Sequence, residues 1–438
     1  MNKHWLVVLI FLWLGALDAG AQFAPPPPPI PAMGMDEWKT DVERIIAELP
    51  GLYPDLYKHI PKAEFESELR QIVGRSTGKS PLQVALEINS VLSRAEEPLL
   101  KLRLDDWLLQ SPVIPYALNW YAGGPYVYAT VMRFEEAWSK RVVKIGDYDT
   151  DEALRRLGPL VAVANERTLQ RDGLQWLRFP IANRMTGLSQ SDTLVLTVED
   201  DKARRQTVRL YPVNMRDNSD GGLIPLIPEP RNPDLRWQTP QDLFTSTWLP
   251  DDNILYVKYV RCMSREAALA EGNQEVAEAL SPFQPFADSV AAFLNRTPDA
   301  RLVLDLRYNP GGHSADGIAL ARQLAALKSV NKKGRLYVAI NLFTDGAAID
   351  VAQAFRQHTR ALLIGDAPGE RLNRGDAPRA LSLARSQLQV LYPSAFVTNV
   401  TKGNPALLKP DVEIELRFSD YLEGKDPVLD YVRQQKIK

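Results

Sequence analysis

The chain has 438 residues, of which 45% are hydrophobic and 24% are charged. These proportions are typical of globular proteins, so they exclude a wholly disordered or fibrous chain, and the length predicts two or three domains. The 52 Lys and Arg residues nearly balance the 54 Asp and Glu residues, and the net charge of −2 provides no basic excess for binding nucleic acid.

The cysteine and histidine contents argue against metal chemistry. The one cysteine, Cys262, excludes an internal disulfide and a multi-cysteine zinc site. The four histidines show neither a His-x-x-x-His nor a His-Glu-x-x-His spacing. We therefore expect no metal and no other cofactor. Because Cys262 follows a predicted strand, we interpret it as a small core residue rather than a reactive thiol.

The N-terminus has the pattern of a secretory signal peptide. Basic Lys3 precedes an apolar run at 5–14, and small residues follow at 19–21. This pattern predicts a signal peptide at 1–21 and a secreted, periplasmic protein with no membrane span after cleavage. An uncleaved anchor is the weaker alternative, because the apolar run is shorter than the roughly 20 residues of a spanning helix. The proline-rich residues 22–35 predict an extended spacer.

The following part of the chain changes from a helical to a β-rich pattern. Apolar residues at three- and four-residue steps predict a helical N-terminal domain at 36–112. Short β-like runs, with one helical stretch at 149–160, predict a small β-rich module at 113–215. The predicted strands of this module are 126–131, 141–145, 193–198 and 207–211. Residues 216–247 are rich in Pro, Asn and Asp without periodicity, which predicts a linker.

The remainder of the chain, 248–438, alternates predicted strands with predicted helices. The strands are 254–260, 301–306, 336–341 and 361–364, and the helices are 283–294, 316–327 and 347–357. This order predicts a mostly parallel sheet with crossover helices. In such sheets ligands bind at the loops that follow the carboxyl ends of the strands, so two of these loops are candidate sites.

The first candidate loop contains the sequence Asn-Pro-Gly-Gly at 309–312, which we call the glycine turn. It follows a predicted buried strand and precedes a predicted helix, and the backbone amides of such a turn can stabilise an oxyanion. The plainer interpretation is a turn without chemistry, because Pro-Gly-Gly is common in turns.

The second candidate loop is the strand-to-helix junction at 344–346, which we call the corner. A nucleophile here would lie at the positive end of a helix dipole. The junction contains Asp345 and Gly346 instead of serine or cysteine. By itself it is therefore also consistent with a plain turn in which Asp345 starts the helix.

Several segments, in one order along the chain, resemble the tail-specific (C-terminal-processing) serine peptidases. They are 53–57, 304–312, 344–348, 409–414 and 420–429. The likeness runs from about Asp36 to the C-terminus and is weakest in the middle. It implies an α/β multidomain fold with a helical N-terminal region, a small PDZ-like β-rich module at 113–215 and a ClpP/crotonase-type α/β core at 248–438.

The resemblance also implies where the catalytic groups should lie, and two of them are replaced. The nucleophile position falls on Gly346, and the histidine position of the secreted branch, which this chain resembles most, falls on Leu99. Arg371 lies near the lysine position of other branches, and an arginine cannot act as a base. Removing the nucleophile of a serine peptidase costs on the order of a million-fold in turnover. The implied oxyanion and peptide-binding residues are Asn309, Gly311, Gly312 and Ala347.

We therefore hypothesise a secreted peptidase-fold protein that has lost hydrolysis, a pseudopeptidase, and that binds a polypeptide or a peptide C-terminus. The alternatives are an active serine-type endopeptidase with a relocated nucleophile and a structural or assembly protein of the cell envelope. The substitute catalytic groups for the first alternative are Thr344, Asp345 and the pair His313 and Ser314. They are less favoured, since Thr344 has a structural place in the family pattern and His313 is expected in a solvated loop.

Overall fold

The computed structural model describes residues 27–212, 223–226, 235–238, 242–400 and 407–435. The predicted signal peptide, the start of the predicted spacer and much of the predicted linker lie outside these residues. Among the described helices, none is both long and apolar enough to cross a lipid bilayer.

The described residues form two compact units. The first unit takes those of Phe23–Leu226 and Asn373–Thr398, and the second takes those of Ile227–Leu372 and Asn399–Lys438. Within the described ranges the units contain helices and three β-sheets, which confirms the predicted α/β multidomain class. The finer assignments, a PDZ-like module and a ClpP/crotonase-type core with the predicted boundaries, stay predictions.

The first unit begins with helices that the apolar periodicity predicts. They are α1 (Met35–Leu52), α2 (Lys62–Gly74) and α3 (Pro81–Ser93), and their apolar residues belong to one buried cluster. Helix α3 is capped by Ser80, whose hydroxyl accepts a hydrogen bond from the Gln83 amide. Periodicity and capping therefore place this helix correctly.

The rest of the first unit is built around an antiparallel sheet. Its elements are β1 (Lys101–Leu102), α4 (Asp105–Leu108), β2 (Tyr116–Tyr121), β3 (Gly124–Thr130), β4 (Arg141–Ile145), β5 (Tyr148–Asp149), α5 (Thr150–Leu157), α6 (Glu166–Thr168), α7 (Leu174–Trp176), α8 (Pro180–Met185), β6 (Leu194–Glu199), β7 (Arg205–Leu210) and β8 (Ile224–Pro225). Strands β2, β3, β4, β6 and β7 pair in that order, while β5 joins β4 and β8 joins β3. Buried residues alternate along β6, as expected of a sheet with one face in the core.

Beyond residue 242 the chain builds a second sheet with crossover helices. The elements are β9 (Phe244–Leu249), β10 (Ile254–Tyr259), α9 (Arg265–Ala270), α10 (Gln274–Ala279), α11 (Phe283–Arg296), β11 (Arg301–Asp305), α12 (Ala315–Ala326), β12 (Leu336–Ile340), α13 (Ala347–His358), β13 (Leu362–Gly365), β14 (Arg374–Ser382), β15 (Gln389–Val397), β16 (Val412–Glu413), α14 (Phe418–Leu422) and α15 (Pro427–Arg433). The sheet order is β16-β13-β12-β11-β10-β9, parallel except for β9. Strands β11 and β12 are buried throughout, which explains the apolar runs at 302–304 and 336–340.

Strands β14 and β15 form an antiparallel hairpin that pairs through β15 with β1 of the first unit. Sequence reasoning misses this hairpin because Pro378 and Pro393 lie opposite each other in it, and proline cannot donate a ladder hydrogen bond. The Asp41 carboxylate of α1 holds the hairpin turn by accepting from the amides of Arg385 at 3.0 Å and Ser386 at 2.7 Å. A stretch inside the range predicted for the core thus packs with the first unit.

A buried ionic network fixes the loop that follows β11. Arg307 donates to Asp305 at 2.8 and 2.7 Å, and to Asp426 through two bonds of 2.7 Å. The three side chains are at most 4% exposed, and Asp426 also caps α15 by accepting from the Val428 and Leu429 amides. Burial alone would raise the pKa of both carboxyls, but the charge of Arg307 lowers each pKa below its usual value. One guanidinium therefore joins the strand end to the last helix.

We expect Arg307→Met to destabilise the protein strongly, because it leaves two carboxylates buried without their cation. Breaking such a buried pair costs about 3–5 kcal/mol. The measurement is the urea midpoint of unfolding at pH 7. Arg70→Met is the control, since it removes a half-exposed ion pair with Glu43 and should shift the midpoint much less. Equal shifts in the two variants would contradict the importance of the network.

Candidate functional site

The residue before the glycine turn is strained. Tyr308 has a φ of +61°, a left-handed conformation that is uncommon for a residue with a side chain. Its amide donates to the Asn341 side chain at 3.0 Å, and its ring stacks on Phe343 with the centroids 5.1 Å apart. These contacts hold Tyr308 in its conformation and join the loop after β11 to the loop after β12.

Asn309 fixes the path of the glycine turn from inside the protein. It is fully buried, and its side chain donates to the Tyr259 carbonyl at 2.8 Å and accepts from the Gly311 amide at 2.9 Å. Its own carbonyl accepts from the Asp345 amide at 2.9 Å, which belongs to the corner. Because both polar atoms of the side chain are used within the protein, Asn309 contributes to a ligand site by positioning the turn.

The two glycines of the turn are required by close backbone approach. Gly311 and Gly312 have φ values of +90° and +126°. A Cβ atom on Gly312 would lie 2.1 Å from the Cys262 carbonyl oxygen, and one on Gly311 would lie 2.9 Å from the Ala347 amide nitrogen. The segment also pairs with Cys262, whose carbonyl accepts from the His313 amide at 2.6 Å. A side chain at either glycine would therefore break these contacts.

The corner is a sharp turn between β12 and α13. Thr344 is fully buried, and its hydroxyl donates to the Leu306 carbonyl at 3.0 Å and accepts from the Asn341 amide at 2.9 Å. Gly346 precedes α13 with φ +50° and ψ −126°, a strained strand-to-helix conformation of the kind that presents a nucleophile. The nearest atom to a Cβ on Gly346 would be the Gly311 Cα at 3.5 Å, an ordinary contact. The backbone thus leaves room for a side chain that this sequence lacks.

The backbone amide at the nucleophile position donates a hydrogen bond to a carboxylate. The Gly346 amide donates to Glu370 Oε2 at 2.7 Å, and Glu370 lies on the loop after β13. Negative charge is favourable there, because the bond is charge-assisted and lies at the N-terminus of α13. Arg371, near the predicted lysine position, follows directly and is half-buried. Sequence reasoning misses Glu370, since no local pattern indicates a contact with a residue 24 positions away.

Two backbone amides at the site are open. Among the residues that the structure describes, the amides of Gly312 and Ala347 donate to no other group. Ala347 is the first residue of α13, so its amide lies at the positive end of the helix dipole. Gly311 lies close to the Ala347 amide, since a Cβ atom on Gly311 would be 2.9 Å from the Ala347 nitrogen. Open backbone amides of this kind can donate to an oxyanion or a peptide carbonyl.

The other predicted catalytic groups have partners of their own. The His313 ring pairs with Glu271 at 2.7 Å, and Ser314 directly precedes α12. Leu99, at the predicted histidine position, belongs to the first unit, where its amide donates to Glu97 at 3.1 Å. The predicted roles of these residues stay predictions.

Cys262 has the environment of a core residue. It is fully buried, and its sulfur lies 3.5 Å from the Asn309 side-chain nitrogen. Burial raises the pKa of its thiol to about 12, so the reactive thiolate is disfavoured at neutral pH. Within the described ranges, no group of three or more His, Cys, Asp or Glu residues is arranged to hold a metal ion.

Two cations that sequence reasoning misses, Arg236 and Lys258, interact with each other electrostatically. The Arg236 guanidinium is 4.9 Å from the Tyr308 ring and 4.6 Å from the Trp237 ring. Lys258 of β10 donates to the carbonyls of Arg236 and Gln238 at 2.7 Å each, and burial lowers its pKa to about 8. Arg236 falls in the predicted linker, where no periodicity gives a signal, so only the folded chain reveals it.

No family model matches the chain, and no curated protein does. Solved structures do match. The crystal structure of mature CPAF has a TM-score of 0.58 at 12% identity, covering 91% of this chain and 97% of that chain. Mature CPAF complexed with lactacystin has a TM-score of 0.59 at 11% identity, covering 91% of this chain and 98% of that chain. The photosystem II D1 C-terminal processing protease has a TM-score of 0.39 at 14% identity, covering 87% and 92%.

At these identities the similarity shows the fold alone. The chain has the fold of mature CPAF, which it shares over nearly all of both chains. The resemblance inferred from the sequence motifs is thereby confirmed at the level of the fold. The replacement of the catalytic residues and the roles of the site residues stay predictions.

We expect Gly312→Ala to lower the stability much more than an alanine at an unconstrained glycine. The new Cβ would collide with the Cys262 carbonyl at a left-handed φ, and a strained backbone position alone costs about 1–3 kcal/mol. Gly272→Ala is the control, since Gly272 has a φ of +76° but no atom within 4 Å of its Cβ position. The measurement is the urea midpoint of unfolding of each variant. Equal midpoints for Gly312→Ala and Gly272→Ala would refute the close approach at Gly312.

Proposed function

We propose that this protein is a pseudopeptidase, a tail-specific-peptidase fold that binds polypeptide without hydrolysing it. The observation that carries the proposal is Gly346. It occupies the nucleophile position of the resemblance, has no side chain and donates its amide to Glu370. Loss of a serine nucleophile costs on the order of a million-fold in turnover, and no change of conformation can supply a missing oxygen.

Three groups near the glycine turn and the corner favour inactivity because they do not replace the nucleophile. The Thr344 hydroxyl is buried and has hydrogen-bond partners on both sides. The Cys262 thiol is buried with a raised pKa, and the His313 ring pairs with a carboxylate. Nucleophilic catalysis needs an accessible nucleophile beside a base, and these three groups do not meet that requirement.

Polypeptide binding is supported by the donors that remain at the site. The open amides of Gly312 and Ala347 can donate to the carbonyl oxygens of an extended chain, as in recognition through main-chain hydrogen bonds. In the glycine turn, Gly311 and Gly312 have no side chains that could cover the Gly312 amide. The ligand class is therefore a polypeptide that is recognised through its backbone.

The test uses the mature protein, residues 22–438, with fluorescein-labelled unfolded casein and with peptide esters. We expect saturable binding in fluorescence anisotropy and no release of labelled fragments above the rate in buffer, because the corner has no nucleophile. A fluorophosphonate probe should label no serine stoichiometrically. Two results would show instead that the protein is an active peptidase. One is turnover that is abolished by Asp345→Asn or Thr344→Val, and the other is stoichiometric labelling of one serine.

We also propose that the protein is exported to the periplasm. The support is the sequence pattern of Lys3, the apolar run at 5–14 and the small residues at 19–21. Expressed in a Gram-negative host, the full chain should appear in the periplasmic fraction with an N-terminus near Gln22 by N-terminal sequencing. Leu9→Arg, which interrupts the apolar run, should keep the chain inside the cell. Wild-type protein that retains Met1 would contradict export.

A further inference from the structure

The side chain of Arg236 is a buried cation with unused hydrogen-bond donors. It is 7% exposed, and its Nε and Nη1 groups are buried without an acceptor among the described residues. A buried donor without a partner costs about 1–3 kcal/mol, and more when it is charged. Since buried polar groups in folded proteins are normally hydrogen-bonded, these donors indicate a place for an acceptor that the described residues do not supply.

The charges around Arg236 do not balance. Arg236 interacts electrostatically with Asp305 and Asp426, but both carboxylates form hydrogen bonds with Arg307. Lys258 belongs to the same cluster and is mostly protonated at neutral pH, because burial lowers its pKa only to about 8. In the part of the chain that the structure describes, three cations thus face two carboxylates, which leaves one positive charge in the cluster.

Arg236 also lies beside the candidate site. Its guanidinium covers the ring of Tyr308, the residue before the glycine turn. Tyr308 in turn stacks on Phe343, the residue before the corner. All of these residues belong to the second unit. Arg236 thus contacts the residue that directly precedes the glycine turn, where the polypeptide is proposed to bind.

We propose that Arg236 binds a carboxylate group of the polypeptide ligand, an inference that rests on the proposed function. A carboxylate carries one negative charge, which equals the surplus of the cluster, and its two oxygens match the fork of guanidinium donors. A phosphate dianion would exceed that surplus. The guanidinium is nearly enclosed, with the half-buried Trp237 ring against it. The Trp237 Nε1 donates to the Lys425 carbonyl at 3.1 Å, so binding of a carboxylate requires this ring to move. The carboxylate comes from the C-terminus of the ligand or from an acidic side chain.

The experiment compares three peptides of one sequence that has no other acidic residue: the free C-terminal acid, its C-terminal amide, and the amide with one internal glutamate. Isothermal titration calorimetry measures their affinities for the mature wild-type protein, for Arg236→Gln and for Arg236→Lys. Arg322→Gln, at an exposed residue of α12, is the matched control. The wild type should bind at least one carboxylate peptide about ten-fold more tightly than the amide, a difference of about 1.4 kcal/mol, and the preferred peptide identifies the source.

The variants separate a ligand contact from a structural role. Arg236→Gln should abolish the preference and leave the affinity for the amide unchanged, whereas Arg322→Gln should keep the preference. Arg236→Lys keeps the charge and loses the fork, so it should retain part of the preference. If circular dichroism shows that Arg236→Gln does not fold, Arg236→Lys becomes the test. A reduced preference for the carboxylate peptide in that variant then supports the ligand contact.

Equal wild-type affinities for the three peptides overturn the role of Arg236 and leave polypeptide binding standing. An equal loss of affinity for all three peptides in Arg236→Gln also overturns it, because that result shows a structural role. If Arg236→Gln or Arg236→Lys keeps the full wild-type preference for the carboxylate peptide, the role of Arg236 is also overturned. Binding of none of the peptides overturns this inference and the proposed function together.

Discussion

The contact of Arg307 with Asp305 and Asp426 is the constraint on which the candidate site depends. All three side chains are buried, so none can lose its partner without a large cost in free energy. The network holds Arg307 two positions beyond the end of β11 and joins it to the start of α15. The glycine turn begins two residues later, so its path is set by the fold before any ligand arrives.

The glycines at the site are of two physical kinds. Gly311 and Gly312 lie so close to other backbone atoms that a Cβ cannot be accommodated, whereas Gly346 leaves room for one. The first two are required because a Cβ has no space, whereas at Gly346 the space is open but the φ of +50° favours glycine. The missing side chain at the nucleophile position is therefore not explained by a lack of space.

Strands β10, β11, β12 and β13 of the second unit could be predicted from the sequence because each contains a run of apolar residues. Strands β9 and β16 could not, since β9 is rich in Thr and Ser and β16 has only two residues. The predicted strand 301–306 and helix 347–357 each differ by one residue from β11 and α13. The hairpin of β14 and β15 could not be predicted, because both of its strands contain proline. Glu370 and Arg236 could not be placed either, since their contacts join distant parts of the chain and leave no local pattern.

Polar residues that resemble catalytic groups have structural roles in this site. Asn309 connects the end of β10, the glycine turn and the corner, and Thr344 connects the loops after β11 and β12. Their loss would leave buried groups without partners whether or not the protein hydrolyses anything. A motif kept for folding therefore carries little information about catalysis. Two other residues are more informative, namely Gly346, where the structure leaves space for a side chain, and Arg236, whose buried Nε and Nη1 donors have no acceptor among the described residues.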